Sequence, residues 1–274
     1  MKKIKFSTKA NNLLNLKDII KEAKVLDQIT FTVDDFNNNS KKIFDLIKKK
    51  KWLNRKLIIR SSSLNEDSVK HSDAGKFFTA KNIVGLDNIK IAIKDVIKSF
   101  GDNNIKNQVF IQEYLENVKI SGVIFTRDIN NNSPYIKINY DDTSGKTDTI
   151  TSGCSVRDKV FYYHKSHDKK LVGFKNNLIL LSRELENLLD NDALDIEFAI
   201  DKKNTIFLLQ VRPLLITNKK FIKDNEHYII VKNISKRINT WLKKQPNIHG
   251  KRGMYGIMPD WNPAEIIGSK QKPL

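Results

Sequence analysis

Residues 194–213 constrain the fold of this 274-residue chain more tightly than any other stretch. They read Leu-Asp-Ile-Glu-Phe-Ala-Ile, a polar turn at Asp201–Asn204, then Thr-Ile-Phe-Leu-Leu-Gln-Val-Arg-Pro. In the first half Leu194, Ile196, Phe198 and Ile200 alternate with Asp195, Glu197 and Ala199, the period of a strand with one buried face. In the second, Gln210 and Arg212 follow Leu208 at two-residue steps, which puts these two polar side chains on one face. A hairpin of the two segments sets two acids beside an amide oxygen and a guanidinium. Carboxylates and an amide oxygen suit a hard cation such as Mg²⁺, and an arginine suits a phosphate oxygen. That is the polar half of a nucleotide-triphosphate site. The same pattern also fits an ordinary half-exposed hairpin whose charges are solvated, so the rest of the chain has to decide.

Bulk properties narrow the classes. The length suits one large domain or two modest ones and is enough to bury a real core. Hydrophobic residues make up 39% and charged residues 29%, ordinary for a globular protein. No apolar run approaches the roughly 18 residues of a membrane span. The lysines at the N-terminus are not followed by the apolar core of a signal peptide. A single cysteine, Cys154, excludes an internal disulfide and a Cys-rich metal site. A cytoplasmic protein is therefore expected. The net charge of +18 raises nucleic acid or an anionic membrane as partners. The lysines, however, are scattered among abundant Asn and Ile rather than clustered as a footprint. Neither nucleic acid nor membrane is expected as a partner. A basic nucleic-acid-binding protein, with its steep salt dependence, stays as an alternative.

Taken in order, the chain alternates short strands and helices. A helix is expected from about Lys9 to Glu22, with Leu13, Leu16, Ile19 and Ile20 as its apolar stripe. Lys9 at its start opposes the helix dipole, which an anion nearby would explain; a solvated surface lysine is the alternative. Residues 25–33 alternate as a strand, Asp34 or Asp35 offers a cap, and a helix runs from about Ser40 to Lys51. Lys56–Arg60 reads as a short buried strand running into Ser61-Ser62-Ser63. An arginine followed by hydroxyls at a strand end is a phosphate-contact pattern, although serine-rich turns after strands are common. Residues 64–76 read as a polar loop, with Gly75 allowing close backbone approach to a ligand. Extended structure resumes over 76–84, followed by a helix over Asp87–Phe100 that Gly101 ends. Three strands are expected at Gln108–Leu115, Ser121–Asp128 and Pro134–Tyr140, the first leading into a hinge whose backbone could read an adenine edge. Gly145-Lys146-Thr147 imitates the end of a P-loop, but Tyr140 stands where the first glycine would be, so it reads as a turn. Strands at Asp148–Gly153 and Lys159–His164 and a helix over Leu181–Asp190, capped near Ser182, complete the approach to the hairpin. Beyond Pro213, Tyr228–Leu242 is expected to contain a helix.

With these residues in view, 1–213 resemble the ATP-grasp nucleotide-binding domain of the phosphoenolpyruvate synthase / pyruvate phosphate dikinase family. The resemblance rests on Lys9 in Thr-Lys-Ala and on Arg60 in Arg-Ser-Ser. It continues through Gly75 with Thr79, Gln112 with Glu113 beside it, Phe125-Thr126-Arg127-Asp128, Asp195-Ile196-Glu197, and Gln210 and Arg212 in Gln-Val-Arg-Pro. It implies an α+β ATP-grasp fold of two subdomains with the nucleotide between them. It also implies ATP and Mg²⁺ as cofactors and an ATP-dependent phosphotransferase as the activity. Lys9, Arg60 and Arg212 would neutralise phosphate and act in catalysis. Asp195, Glu197 and Gln210 would hold the metal, and Gly75, Thr79, Gln112 and Glu113 would line the nucleotide. In this family the phosphoryl group passes first to a histidine on a swivelling domain. The Gly-Gly and His-Ala motif of that histidine is absent, and His71, His164, His167, His227 and His249 stand in other contexts. Residues 214–274 are therefore expected to be a linker and the start of a truncated acceptor domain. The tail Met258-Pro259-Asp260-Trp261-Asn262-Pro263-Ala264-Glu265-Ile266-Ile267-Gly268 resembles the branch found in surface-polysaccharide clusters. That points to L-glutamine as acceptor, with pyruvate, or a non-catalytic nucleotide-binding remnant, as the alternatives.

Overall fold

The computed structural model describes residues 3–63, 78–102, 104–145, 159–167, 171–216, 223–244 and 246. In chain order the elements are α1 (Lys9–Leu16), β1 (Lys24–Val25), β2 (Gln28–Thr32), α2 (Val33–Lys49), β3 (Leu57–Ser62), β4 (Thr79–Ile83) and α3 (Leu86–Ser99). They continue with β5 (Gln108–Glu113), β6 (Val118–Phe125), β7 (Tyr135–Asp141), β8 (Lys159–His164), α4 (Phe174–Leu189), β9 (Leu194–Asp201), β10 (Ile206–Pro213) and α5 (Asp224–Trp241). The chain forms two compact units, Met1–Phe221 and Ile222–Leu274. α5 lies in the second and buries none of its residues.

The first unit contains two sheets. The smaller has the order β2-β5-β3-β4 and is antiparallel throughout. One face of it packs on α2 and α3. Ile89, Ile93 and Val96 recur at helical spacing on α3 and meet Ile43, Ile47, Ile59, Val109 and Ile111 in one core. The larger sheet has the order β1-β10-β9-β6-β7-β8, parallel at β1–β10 and antiparallel elsewhere. Its buried face packs on α1 and α4. Leu13, Leu16, Leu178, Leu181, Leu185 and Leu188 meet Ile124, Ile138, Ile196, Phe198 and Leu208 there. Each such side chain contributes about 1.5–3 kcal/mol by leaving water. The chain crosses from the small sheet to the large one between Glu113 and Val118, and Lys56 O fixes the start of the crossing by accepting from Tyr114 N at 2.7 Å.

Gly122, in β6, shows how tightly the large sheet is packed. A Cβ there would fall 2.2 Å from the Asn139 carbonyl oxygen and 2.9 Å from the Phe198 ring. Only a residue without a side chain fits between β7 and the β9 phenyl ring.

Several boundaries differ from the sequence reading. α1 ends at Leu16, where Ile19 N and Ile20 N both turn back onto the Leu16 carbonyl, so Ile19 is left partly exposed. The alternating run 25–33 is divided between sheets: β1 joins the large sheet and β2 the small one. α2 starts at Val33, because the cap is Thr32 and not Asp34 or Asp35. Thr32 Oγ1 accepts from Asp35 N at 3.0 Å and the Asp35 carboxylate accepts from Thr32 N at 2.9 Å, a reciprocal capping box. α4 starts at Phe174, a turn and more before Ser182, whose hydroxyl is buried and donates to Leu178 O inside the helix. Residues 64–77, including the loop with Gly75, and residues 146–158, including the expected strand at 148–153, lie outside the described residues, as does the tail 247–274.

Candidate functional site

The two sheets meet at the N-terminus of α1. Thr8 caps the helix by accepting from Asn11 N at 3.3 Å, and its hydroxyl donates to Gln108 Oε1 of β5 at 2.6 Å. Ala10 N donates to Ser62 Oγ of β3 at 3.0 Å, and Gln28 of β2 donates to Ala10 O at 2.8 Å. On the other side the buried Asn12 amide donates to Val211 O of β10 at 3.3 Å, while its oxygen accepts from Ser7 N at 2.8 Å. One short helix is thus tied to both sheets, and Lys9 sits in its first turn at the junction.

The hairpin forms as its alternation requires. Glu197 lies opposite Gln210 and Asp195 opposite Arg212. A register shift between Leu208 and Gln210 inserts one extra residue, Leu209. A regular strand would put Leu208 on the face of Gln210 and Arg212; the bulge instead reverses the parity. Leu208 enters the core while Gln210 and Arg212 face the carboxylates of β9. Arg212 Nε and Nη2 both reach Asp195 Oδ2, at 2.9 and 2.8 Å.

Arg60 approaches the same hairpin from β3. Its Nη1 donates to the carbonyl of Leu209 and its Nη2 to Gln210 Oε1, both at 3.2 Å, and Nη2 lies 3.7 Å from Glu197 Oε2. The guanidinium lies over the Phe110 ring, 5.6 Å from its centre. One arginine of the small sheet therefore reaches the polar face of the large one.

Asp195 is only 8% exposed. Burial pushes its carboxyl above the ordinary value; Arg212 pulls against this, Glu197 adds to it, and the Lys9 ammonium also draws it down. Asp195 and Glu197 with Gln210 form an all-oxygen donor set that fits a hard divalent cation. Among the described residues, no group of three or more His, Cys, Asp or Glu side chains is assembled for a metal.

The structure thus places Lys9, Arg60, Asp195, Glu197, Gln210 and Arg212 together. Thr79 is the cross-strand partner of Arg60 and shares its face. Gln112 stands on that face too, but it is buried and donates weakly to Leu26 O and Gln28 Oε1, both at 3.5 Å. Glu113 has the opposite parity on β5 and lies 3.7 Å from Arg55, away from the cluster. Gly75 lies outside the described residues. Arg127, from the Phe-Thr-Arg-Asp stretch, is buried and pairs with Asp192 while donating to Asn132 O at 3.1 Å. Beside it Thr126 Oγ1 accepts from Leu194 N at 2.8 Å, so this stretch fixes the start of β9 and hence the carboxylates that follow. The supports Thr8, Asn12 and Gln108 escaped the sequence reading, and Ser62, read there as one of the phosphate-contact hydroxyls, is instead fully buried and accepts from Ala10 N. Thr8 alone carried a local signal, a threonine immediately before a helix.

Residues 2–177 match the family model "Pyruvate phosphate dikinase, AMP/ATP-binding domain". The chain belongs to this family. Its fold is α+β and of the ATP-grasp type, and it carries an AMP/ATP-binding domain. The family match ends before the hairpin, whose place in the site comes from the structure. No curated protein matches the chain. Solved structures similar to it include D-alanine–D-alanine ligase from Helicobacter pylori, at 14% identity and TM-score 0.43, covering 84% of this chain and 57% of that one. D-alanyl-alanine synthetase A from Vibrio cholerae is 14% identical at TM-score 0.44, covering 85% and 64%. A RimK domain protein ATP-grasp from Sphaerobacter thermophilus is 13% identical at TM-score 0.42, covering 76% and 60%. The chain spans about three-fifths of the length of these structures.

Proposed function

We propose that this chain is the ATP-binding part of a cytoplasmic phosphotransferase, with the phosphates of ATP between Arg60 on the small sheet and the β9–β10 hairpin on the large one. The observation that carries this reading is the reach of Arg60 across to Leu209 O and Gln210 Oε1, beside a carboxylate pair and a second arginine. Arg60, Arg212 and Lys9 neutralise phosphate oxygens. Asp195, Glu197 and Gln210 hold Mg²⁺, which supplies charge neutralisation at the phosphates. Phosphoryl transfer asks mainly for positioning and preorganised charge, and both are supplied here by rigid elements: two paired strands and a capped helix. Thr79 adds a hydroxyl beside Arg60. Phe110 keeps one side of the Arg60 guanidinium against an apolar surface, which limits its freedom to swing into solvent.

In this proposal the phosphoryl group moves to a histidine supplied by another domain and from there to a small acceptor. The tail segment at 258–268 supports the polysaccharide-cluster branch of the family and L-glutamine over pyruvate as that acceptor.

Calorimetric titration with MgATP tests the site. The wild-type chain is expected to bind, and Glu197→Ala and Arg212→Ala are each expected to weaken binding about tenfold or more, as for loss of a charge-assisted contact. Folded variants that bind MgATP as tightly as wild type would refute the assignment.

A further inference from the structure

The groups that would take phosphate and the groups that would take metal are one another's partners. Arg212 directs two nitrogens at Asp195 Oδ2, at 2.9 and 2.8 Å. Arg60 holds Gln210 Oε1 at 3.2 Å and approaches Glu197 Oε2 to 3.7 Å. These side chains are largely buried, between 11% and 22% exposed for the four charged ones. Water therefore screens the pairs little and competes poorly for their hydrogen bonds.

We propose that these pairs form a latch that couples the two ligands: phosphate and divalent cation load together, because each releases the partner the other needs. The proposal rests on the nucleotide site described above. A polyphosphate arriving without metal draws Arg60 and Arg212 away and leaves Asp195 and Glu197 buried near each other with less counter-charge. A cation arriving without phosphate takes Asp195, Glu197 and the Gln210 oxygen, and so removes from two largely buried guanidiniums the side-chain oxygens they point at. Stranding one member of a buried pair is costly. Together, the cation replaces the arginines at the carboxylates, and the phosphates replace the carboxylates at the arginines. Charge is then balanced on both sides. The coupling is reciprocal, as any linkage between two ligands must be.

The consequence is testable because removing a carboxylate should help metal-free nucleotide. ATP binding is measured in excess EDTA and in excess Mg²⁺ for wild type, Asp195→Asn, Arg212→Gln and the double variant, each first shown to melt cooperatively. Asp195→Asn is expected to tighten metal-free ATP at least about fivefold and to shrink the effect of Mg²⁺ by a similar factor. In the Arg212→Gln background that gain is expected to vanish, because the arginine that Asp195 holds is gone. An equal gain in both backgrounds would mean simple charge repulsion and overturn the latch, as would no gain at all. A wild-type chain that binds no MgATP would overturn the site itself, a separate outcome. A direct readout covers the case in which the double variant binds too weakly to measure. Solvent exchange of the Arg212 Nε–H, followed by NMR, should be slow in the wild type and faster in Asp195→Asn. Equal rates would contradict the latch.

Discussion

Asp195 and Asp141 are buried carboxyls with opposite fates, and the difference lies in who donates to them. Asp195 is raised by burial despite its arginine, and the like charge of Glu197 adds to the rise. Burial would raise Asp141 as well, but hydrogen bonds from Ser144 and Thr143 outweigh it and hold the carboxyl well below the ordinary carboxylate range. Thr143 N and Oγ1 donate to its Oδ1 at 2.7 and 2.8 Å, and Ser144 N at 3.1 Å. A depressed folded-state pKa means that the native state holds fewer protons than the unfolded chain. The stabilisation is therefore present above the unfolded value, about pH 3.9, and is lost as the pH falls through the lower folded one. Asp141→Asn is expected to be less stable than wild type at neutral pH, with the gap closing below about pH 4. Denaturant unfolding at several pH values checks this, and a gap that persists in acid would contradict it. None of this was legible in the sequence, where Asp141 is one acid among many. Asp195 and Glu197 were legible because their alternation with Leu194, Ile196 and Phe198 fixed their face before any partner was known.

The β9–β10 hairpin shows both the reach and the limit of periodicity. Alternation gave its two strands, the turn and a face on which two acids meet an amide oxygen and a guanidinium, while the register of Glu197 on Gln210 and Asp195 on Arg212 is seen only in the structure. It could not give the bulge at Leu209, because an inserted residue leaves the composition of both faces plausible. Similarly, the run 25–33 alternates throughout, yet three-dimensional pairing sends its halves to different sheets. Thr8, Asn12 and Ser62 act across separations of 100, 199 and 52 residues, which no local pattern encodes. The packing of β6 between β7 and β9 depends on Gly122 in the same long-range way. Gly122→Ala would drive a methyl into the Asn139 carbonyl and the Phe198 ring. The expected cost is about 1–3 kcal/mol from overpacking, read as a lower melting temperature. An unchanged melting temperature would show that β6 and β9 can separate freely.

At the scale of the whole molecule, every proposed site residue falls within the unit Met1–Phe221. α5, in the other unit, is amphipathic in sequence but buries nothing, with Ile230, Ile234, Ile238 and Trp241 all exposed. Ending the chain at Phe221 is accordingly expected to leave the affinity for MgATP unchanged. A large loss on titration would mean that residues beyond 221 complete the site. The fold class and the order of the motifs were legible in the sequence because the resemblance runs along residues 1–213. The junction built by α1 was not, since it exists only once both sheets are formed. Among the described residues no helix is long and apolar enough to cross a membrane.

Backbone hydrogen exchange with and without MgATP tests the central claim most directly, because it reports where the nucleotide acts without presupposing a residue. Added protection is expected at the α1 N-terminus, at β3 around Arg60 and along β9 and β10, the four places whose side chains converge. Protection confined to the surface of α2 around Asn39–Lys49, where a lysine-lined depression lies, would contradict it. So would no change in a chain that calorimetry shows to bind.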